Sequence, residues 1–382
     1  MSKLKVMSVF GTRPEAIKMA PVVSELCKYP DEIESVVAVT AQHREMLDQV
    51  LSLFDIHPNF DLNIMSEGQT LFDITSRALL GLDKVLTEAQ PDIVLVHGDT
   101  TTTFAGALAA YYHQVEVGHV EAGLRTQNKF SPYPEEMNRR LTGALADLNF
   151  APTDIAKDNL LREGVDPKNI FVTGNTVIDA LYQTVSRKFT FSDEFNCVDF
   201  DKKVILVTTH RRENLGEPMR HVYKALKSLV EDLPDVEIIF PVHKNPKVRE
   251  VVREELGNLD RVFLTDPLEY EPFANLMNKA TLILTDSGGV QEEAPALGKP
   301  VLVLRDTTER PEAVDAGTVK LIGTNQDIVY DTAKTLLTDD EQYRKMAEAR
   351  SPYGDGHAAE RIVKTILYRH KISAEPPEEF VG

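Results

Sequence analysis

The chain has 382 residues, of which 42 are Lys or Arg and 60 are Asp or Glu, so its formal charge at pH 7 is −18. This length favours two domains of roughly 150 to 200 residues each. The acidic balance argues against nucleic acid or an anionic membrane as a partner, because both bind clustered basic charge. Two distant cysteines, scattered histidines and short apolar runs exclude a disulfide scaffold, a cysteine zinc site and a membrane-spanning helix. No signal-peptide pattern opens the chain, so we expect a cytoplasmic globular protein without a metal.

Predicted strands alternate with predicted helices along the chain, as in the βαβ units that build a parallel sheet. Short runs rich in β-branched residues predict strands at 4–10, 33–40, 61–65, 93–96, 115–120 and 170–172, and then at 203–209, 236–242, 262–265, 281–285, 300–304 and 319–322. Apolar residues at three- and four-residue spacing predict helices between them, most clearly at 42–54, 71–89 and 219–233. The strand runs are apolar throughout, which is typical of a sheet covered by helices on both faces.

A polar, aperiodic stretch at 187–202 separates the two sets of strands, and the chain then begins again. VMSVFGTRPE opens the first half and VILVTTHRRE the second, each a strand that ends in small residues, Thr and Arg. We therefore predict an α/β protein of two Rossmann-like, doubly wound parallel-sheet domains that face each other across a cleft. The predicted domains are 1–173, completed by a C-terminal helix at 365–382, and 174–364.

Several common catalytic motifs are absent from the sequence. No GxGxxG follows the first strand, and no GxxxxGK[ST], HExxH or GxSxG occurs. Hydride transfer with a nicotinamide, P-loop NTPase chemistry, zinc-dependent hydrolysis and the α/β-hydrolase triad therefore lose support.

The turn after the first predicted strand places two cations at the start of a helix. In GTRPEAIKMAP, Pro14 suits the first helical turn, Arg13 lies at the helix N-terminus and Lys18 follows about one turn later. Cationic side chains oppose the helix dipole at this end. An anion that fills the site explains them better than a solvated turn does.

Three segments of the first half bring carboxylates to strand ends. Asp99 follows an apolar strand in IVLVHGDTTTT, Glu121 ends the strand of VGHVEAGLRT, and Glu135 follows two prolines in SPYPEEMNRR. The threonines after Asp99 suffice to cap the next helix, so capping alone does not explain this carboxylate. Three such segments in one domain indicate acid–base chemistry in a cleft.

The second half places anion-binding groups at the corresponding strand ends. His210 ends the strand of VTTHRREN, and His243 ends that of FPVHKNP. In LILTDSGGVQEEAP, the glycines after Ser287 let the backbone approach closely, so free N–H groups and the hydroxyl can cradle a diphosphate. Glu292 or Glu293, one turn further on, can accept the ribose hydroxyls.

Together these motifs carry a family resemblance. GTRPEAIKMAP, TAQHREM, VHGDTTT, GHVEAGLRT, PEEMNRR, TTHRREN, LTDSGGVQEEAP and RDTTERPEA resemble, in order, the bacterial UDP-N-acetylglucosamine 2-epimerases of the non-hydrolysing kind, from about residue 6 to about residue 314. The resemblance implies the two-domain arrangement called GT-B, a homodimer and no redox cofactor. It also implies interconversion of UDP-GlcNAc and UDP-ManNAc, which supplies cell-surface polysaccharide synthesis.

The resemblance implies site residues at the matching positions of this chain. The implied catalytic carboxylates are Asp99, Glu121 and Glu135, and His210 is implied to contact the ligand near the diphosphate. The implied substrate-binding residues are Arg13, Lys18, Arg139, Phe273, Ser287, Gly288, Gly289, Glu293 and Arg310.

A regulatory site is implied as well. Family members of this kind can be activated by a second UDP-GlcNAc molecule, which the resemblance places near Gln42, His43, Gln69 and His243. Related Gram-positive enzymes carry an arginine that contacts this second molecule, and the corresponding residue here is Gly68.

The C-2 proton of a pyranose is not acidic, so these residues favour an elimination. Cleavage of the C-1–O bond expels UDP and a carboxylate removes the C-2 proton, which leaves 2-acetamidoglucal. Re-addition with protonation from the other face then inverts C-2. Which carboxylate acts on which face stays open.

Three alternatives to this epimerase remain. They are a hydrolysing 2-epimerase that releases ManNAc and UDP, a UDP-dependent glycosyltransferase, and a non-catalytic nucleotide-sugar binding protein. The carboxylates argue against the last, since a binder of an anionic diphosphate gains nothing from nearby negative charge.

Overall fold

The computed structural model describes residues 3–41, 44–211 and 214–382, which divide into two compact units. Unit 1 comprises Met1–Ala180 and Tyr353–Gly382, and unit 2 comprises Leu181–Pro352. The first division, between Ala180 and Leu181, falls inside the helix Thr176–Val185, so each unit contains part of this helix.

Unit 1 is built on a parallel sheet that is seven-stranded over the described residues, in the order β3-β2-β1-β4-β5-β6-β7. Its strands are β1 (Leu4–Phe10), β2 (Ile33–Val39), β3 (Phe60–Asp61), β4 (Ile93–His97), β5 (Glu116–Val120), β6 (Leu148–Ala151) and β7 (Ile170–Val172). The helices of this part of the chain are α1 (Arg13–Leu26), α2 (Arg44–Leu53), α3 (Leu71–Ala89), α4 (Thr101–Tyr112), α5 (Glu135–Leu145), α6 (Asp154–Arg162) and α7 (Thr176–Val185). Helix α7 contains the division between the units.

Unit 2 repeats this architecture with a parallel sheet, six-stranded over the described residues, in the order β10-β9-β8-β11-β12-β13. Its strands are β8 (Lys203–Thr208), β9 (Val236–Pro241), β10 (Val262–Thr265), β11 (Leu282–Thr285), β12 (Val301–Val303) and β13 (Val319–Leu321). Its helices are α8 (Glu217–Asp232), α9 (Pro246–Leu256), α10 (Tyr270–Lys279), α11 (Gly288–Ala296), α12 (Pro311–Asp315), α13 (Gln326–Thr338) and α14 (Asp340–Ala347). The last helix, α15 (Ala358–Arg369), belongs to unit 1.

The predicted fold class is therefore confirmed: two doubly wound units, each with a parallel sheet whose strands are linked by helices. The central strands are buried on both sides, as β4 shows over its whole length, and all residues of β4 before His97 are apolar. Thr100 caps α4 by accepting a hydrogen bond from the backbone N–H of Thr103 at 3.1 Å. The predicted cap among the threonines after Asp99 is thus confirmed.

Most predicted elements lie within one or two residues of the observed ones, with two corrections among the strands. The strand predicted at 61–65 is shorter and earlier, at Phe60–Asp61, because the backbone turns at Asn63, which has a φ of +44°. Strand β6 was not predicted, since its sequence LNFA is short and interrupted by a polar residue. The first two residues of the helix predicted at 42–54 lie outside the described residues, and helix α2 begins at Arg44.

The C-terminal segment returns to unit 1 through hydrogen bonds from α15 and the tail. Asp179 accepts bonds from the backbone N–H groups of Ala358 (3.2 Å) and Ala359 (2.8 Å), at the start of α15. Phe380 N–H donates to Val172 O at 2.7 Å. The helix predicted at 365–382 is instead found at Ala358–Arg369. The tail beyond it is not helical, because Lys371 has a φ of +60° and two prolines follow.

The stretch at 187–202, predicted as a polar loop, has a small aromatic cluster of its own. The ring of Phe191 packs against Phe189, Phe195 and Phe200, with centroids 5.0 to 5.5 Å apart. Buried Glu237 of β9 holds the end of this stretch by accepting hydrogen bonds from Asp199 N–H and Lys202 Nζ. The described chain contains no helix long and apolar enough to cross a membrane.

Candidate active site

Strands β1 and β4 are neighbours at the centre of the unit 1 sheet, where the strand order reverses. Loops diverge at such a point and leave a crevice for ligands. Buried Glu15 joins the two loops: its Oε2 accepts hydrogen bonds from the backbone N–H groups of Gly11 (3.1 Å) and Thr12 (2.8 Å). Its Oε1 accepts bonds from the hydroxyls of Thr100 (2.7 Å) and Thr103 (3.2 Å). One carboxylate thus fixes both loops of the crevice.

Glu121 follows β5 and has a φ of +62°, in the left-handed region that non-glycine residues seldom adopt. Backbone of this kind is concentrated at functional sites. Its Oε2 forms an ion pair with Lys18 and accepts a hydrogen bond from Asn175 Nδ2 at 3.0 Å. The Nε2 atom of His97 lies 3.8 Å from the same oxygen. Lys18, implied to bind substrate, therefore pairs with an implied catalytic carboxylate.

Burial and charge act in opposite directions on Glu121. Burial raises the pKa of this carboxyl, but the nearby cations, Lys18 foremost, outweigh burial and hold the pKa below its ordinary value. Burial lowers the pKa of His97 to about 3, against the opposing effect of Glu121. Near neutral pH an ionised glutamate therefore lies beside a neutral imidazole.

For Asp99, which follows β4, burial outweighs the nearby cations, so its pKa is shifted in the opposite direction to that of Glu121. Burial raises the pKa of Asp99, and the charges of Glu121 and Glu135 add to this effect, while Arg139 opposes it. The Asp99 carboxylate forms an ion pair with Arg139 of α5, and its backbone carbonyl accepts a hydrogen bond from Asn138 Nδ2 at 2.9 Å. Asp99 consequently takes up a proton more readily than Glu121, although the two carboxylates follow neighbouring strands.

A second buried histidine, His119, is hydrogen-bonded to the loop that carries Asp99. Gly98 has a φ of +68°, and its carbonyl accepts a hydrogen bond from His119 Nε2 at 2.7 Å. Burial lowers the pKa of His119 to about 4, so the ring is neutral and carries its proton on Nε2. A Cβ at position 98 would lie 3.6 Å from Glu121 Oε1, which is ordinary van der Waals contact, so the positive φ rather than crowding favours glycine here.

Helix α5 begins at Glu135, and one oxygen of this side chain is buried without a hydrogen-bond partner among the described residues. The next residue, Glu136, is fully buried and accepts bonds from Thr126 N–H (2.9 Å) and Arg140 Nε (3.2 Å). Glu136 thereby fixes the helix that presents Glu135 and Arg139. Since the charge of Glu135 acts on Asp99, the two carboxylates belong to one electrostatic site.

Strands β8 and β11 are the corresponding central neighbours of unit 2. Asp286 follows β11, is fully buried, and accepts hydrogen bonds from the backbone N–H groups of His210 (2.9 Å) and Arg211 (2.9 Å). Its Oδ1 also lies 2.8 Å from His210 Nδ1. Burial raises the pKa of Asp286, but the bonds from His210 and Arg211 outweigh burial and leave the pKa below its ordinary value. An ionised carboxylate therefore positions the predicted ligand histidine.

Ser287 and Gly288 form the N-terminus of α11, beside the same loop. Ser287 N–H donates to Thr285 Oγ1 at 2.9 Å, and Gln291 Nε2 donates to Ser287 O at 3.1 Å. A Cβ at Gly288 would lie 3.9 Å from Arg310 Nη2, which places this guanidinium against the turn. The helix N-terminus and the arginine together form an edge suited to an anion.

The predicted ribose contacts lie one turn into α11. Glu292 is buried and forms an ion pair with Arg310. Of the two candidate glutamates, Glu292 is therefore the one that positions the arginine. Glu293 is buried beside the hydroxyl of Tyr270. Burial, with the charge of Glu293, raises the pKa of Tyr270 well above its ordinary value. Phe273, in the first turn of α10, is half-buried.

The implied regulatory residues are only partly described. Gln42 and His43 lie outside the described residues. Gln69 is half-buried and its Oε1 accepts a hydrogen bond from Ser66 N–H at 3.2 Å. The ring of His243 stacks near that of His210, with centroids 6.2 Å apart.

The structure thus groups the predicted residues within each unit. Unit 1 brings together Lys18 with Glu121, and Asp99 with Arg139 near Glu135, while Arg13 begins α1 as expected. Unit 2 brings Arg310 against Gly288, and places Glu293 one turn on. Sequence reasoning missed the partners of these groups, namely Glu15, His97, Asn175 and the positioning role of Asp286. No group of three or more His, Cys, Asp or Glu side chains in the described part of the chain could hold a metal ion.

The chain is similar to known proteins over its whole length. A family described as UDP-N-acetylglucosamine 2-epimerase matches residues 25–367. The UDP-N-acetylglucosamine 2-epimerase of Bacillus subtilis is 61% identical over 384 residues, covering 100% of both chains. A crystal structure of a UDP-N-acetylglucosamine 2-epimerase is 59% identical with a TM-score of 0.94 and covers 100% of both chains. The Neisseria meningitidis UDP-GlcNAc 2-epimerase, solved with UDP-GlcNAc bound, is 52% identical with a TM-score of 0.84, over 95% of this chain and 100% of that one.

Two doubly wound units, one with carboxylates after neighbouring strands and one with Arg310 beside a glycine-rich turn, define the class as a two-domain α/β protein. The family match and the identities over the whole chain then make the assignment specific. The chain belongs to the UDP-N-acetylglucosamine 2-epimerase family.

Proposed function

We propose that this protein is a non-hydrolysing 2-epimerase that interconverts UDP-GlcNAc and UDP-ManNAc. The observation that carries the proposal is the pair of carboxylates on neighbouring strands, Asp99 and Glu121, whose environments shift their pKa values in opposite directions. Inversion at C-2 needs one group to remove a proton and another to return one from the opposite face. Carboxylates whose pKa values are driven apart are suited to such complementary roles.

The reaction begins with departure of UDP from C-1. Arg13, His210 and Arg310 stabilise the leaving diphosphate, together with the N–H groups from Ser287 to Gly289. One carboxylate removes the C-2 proton, and the electron pair of that C–H bond forms the C-1–C-2 double bond of 2-acetamidoglucal. UDP then returns to C-1 while a second carboxylate protonates C-2 from the other face. Glu135 is the third candidate for these transfers.

The proposal assigns the remaining substrate contacts to side chains of each unit. Glu293 accepts the ribose hydroxyls, since Glu292 is already paired with Arg310. Phe273, in the first turn of α10, contributes an apolar face, and Arg139 orients Asp99 toward the sugar.

Incubation with UDP-GlcNAc in D2O, followed by NMR, tests the proposal against its rivals. The expected result is deuterium at C-2 of UDP-GlcNAc and UDP-ManNAc, with free UDP and glucal only as slow side products. Stoichiometric free ManNAc would identify a hydrolysing epimerase. Sugar transfer to an added acceptor, with C-2 keeping its hydrogen, would identify a glycosyltransferase. Binding without exchange would leave a nucleotide-sugar binding protein.

We further propose a homodimer formed through α3 and α4. Phe72 and Leu80 of α3 and Tyr111 and Tyr112 of α4 are 58% to 85% exposed, which is unusual for large apolar side chains. Asp83 of α3 bonds to His113, the residue after α4, at 2.8 Å, so these side chains lie on adjoining helices. Analytical ultracentrifugation would show a species of twice the chain mass.

Regulation and cellular role complete the proposal. A second UDP-GlcNAc binds near Gln42, His43, Gln69 and His243 and activates the enzyme. The product supplies cell-surface polysaccharide synthesis from the cytoplasm, a reducing compartment that suits the free, exposed thiols of Cys27 and Cys197.

A further inference from the structure

Three side chains from different parts of unit 1 converge on one oxygen of Glu121. Lys18 Nζ forms an ion pair with Oε2, Asn175 Nδ2 donates to it at 3.0 Å, and His97 Nε2 lies 3.8 Å away. Both ring nitrogens of His97 are buried without a hydrogen-bond partner among the described residues. A buried polar atom without a hydrogen-bond partner destabilises the fold, so such an atom in a native structure calls for a functional explanation.

The other oxygen of Glu121 has a different environment. Oε1 accepts no hydrogen bond from the described residues, and it faces Gly98, where a Cβ would lie 3.6 Å away. The carboxylate is thus held on one side and open on the other. Each carboxylate oxygen has two lone pairs, and Lys18 and Asn175 supply two donors to Oε2, so a proton is exchanged more readily at Oε1.

We propose that Lys18, His97 and Asn175 form a clamp on Glu121 Oε2, so that Oε1 is the oxygen that exchanges the proton with the sugar. This inference rests on the proposed function. In the elimination, the C-2–H bond breaks as an O–H bond forms at Oε1. The C–H electron pair forms the C-1–C-2 double bond, and the C-1–O pair leaves with the diphosphate. When this same elimination step runs backwards, the proton returns from Oε1 to the same face of C-2.

His97 acts here as a positioning residue through its Nε2–H. The ring is neutral, so it carries one N–H, and Glu121 Oε2 is a charged acceptor within a small movement of Nε2. Catalytic hydrogen bonds are often long in the free enzyme and shorten in the complex. Lys18, Arg139, Asp99 and His119 are the other charged or titratable groups that act in this region.

Two substitutions of His97 test the clamp, because they retain different nitrogens. Gln places its amide nitrogen near the position of Nε2, and Asn places its amide nitrogen near that of Nδ1. The readout is the 13C titration of the Glu121 carboxyl, assigned as the resonance lost in Glu121→Gln. We expect the midpoint of the Glu121 titration to be unchanged in His97→Gln and to rise by about one pH unit in His97→Asn. In parallel, His97→Asn should lower kcat roughly ten- to hundredfold with little change in KM.

Asn175→Asp provides an independent variant in case substitution of His97 prevents folding. It keeps the acceptor for Val177 N–H, at 3.1 Å, and replaces the donor to Glu121 with a carboxylate. The Glu121 titration should then move upward by more than one unit. Thr142→Val is the matched control, since Thr142 is equally buried and its hydroxyl has no partner among the described residues. It should change neither the titration nor kcat.

The outcomes separate the clamp from the proposed function. An unchanged Glu121 titration in both His97→Asn and Asn175→Asp would overturn the clamp, even in an active epimerase. A shifted titration in a protein that fails to place deuterium at C-2 would support the contacts on Oε2 but overturn the function and the assigned role of Oε1.

Discussion

The carboxylate of Asp286 holds His210 by both its ring and its backbone: Oδ1 lies 2.8 Å from Nδ1, and Oδ2 accepts the backbone N–H at 2.9 Å. Because Nδ1 faces an ionised carboxylate, it carries a proton, and the ring cannot rotate without losing this bond. His210 is therefore oriented before any ligand binds.

Asp286→Asn should weaken UDP binding at least tenfold. The amide cannot accept all the hydrogen bonds that Asp286 accepts, and bonds to a charged group contribute about 1.5–3 kcal/mol each. Isothermal titration calorimetry with UDP measures the change. Asp331→Asn, an exposed change on α13 of the same unit, is the control and should bind UDP normally. Equal affinity in both variants would contradict the role of Asp286.

Arg310 is expected to bind the diphosphate and to neutralise Glu292. Arg310→Ala should therefore weaken UDP binding about tenfold or more and also lower Tm, since it removes this ion pair from a buried carboxylate. Adding Glu292→Gln should restore Tm without restoring affinity. Calorimetry and thermal unfolding together separate the two effects. Recovery of UDP affinity in the double variant would show that Arg310 acts only on stability.

The acid side of the pH–rate profile should report Asp99. Burial raises the pKa of Asp99, so its base form is lost at a higher pH than for an ordinary aspartate as the solution is acidified. Arg139 opposes this shift, so Arg139→Gln should raise the pKa further and move the acid limb of kcat/KM upward. Asp99→Asn should lower kcat by about 10²–10⁴.

Arg140→Gln is the control for the profile, because Arg140 pairs with Glu136 rather than Asp99. It should leave the acid limb in place. If the acid limb of the profile does not move in Arg139→Gln, the limb reports the ionisation of a group other than Asp99.

Asp179 should make the stability of unit 1 depend on pH. Burial raises its pKa to about 6, above the value of about 3.9 in an unfolded chain. The folded state therefore holds the proton more tightly, and the resulting stabilisation is complete below pH 4 and lost as the pH rises through 6. The difference in unfolding free energy between the wild type and Asp179→Asn should fall by about 2–3 kcal/mol from pH 4 to pH 7. Urea unfolding at each pH measures it, and a constant difference would refute the shift.

Periodicity alone predicted most of the fold, because buried parallel strands and amphipathic helices have distinct patterns. Helix α3 and strands β1, β7 and β10 are found at the predicted residues. Strand β6 was missed because Asn149 interrupts its apolar run. The strand pattern also located Asp99 and Glu121, since Glu121 directly follows β5 and Asp99 lies two residues after the end of β4.

The partners of those carboxylates could not be predicted in the same way. Lys18 and Glu121 are 103 residues apart, and their pairing depends on β1 and β5 both ending at one edge of the sheet. His97 directly follows the strand predicted at 93–96, and nothing in its spacing indicates a nearby carboxylate. Asp286 was assigned to a glycine-rich turn, whereas its side chain acts across the sheet on the loop after β8.

Activation by a second nucleotide sugar can be tested in the reverse reaction. With UDP-ManNAc alone we expect slow turnover, which accelerates when a trace of UDP-GlcNAc is added, because the activator favours the active conformation. Coupled assays of initial rate measure the lag. Position 68 offers a matched variant: a Cβ at Gly68 would meet no atom within 4 Å, although its φ of +69° disfavours a side chain. Gly68→Arg should therefore fold and lower the UDP-GlcNAc concentration needed for activation. Full activity on UDP-ManNAc alone in the wild type would show that the control is absent.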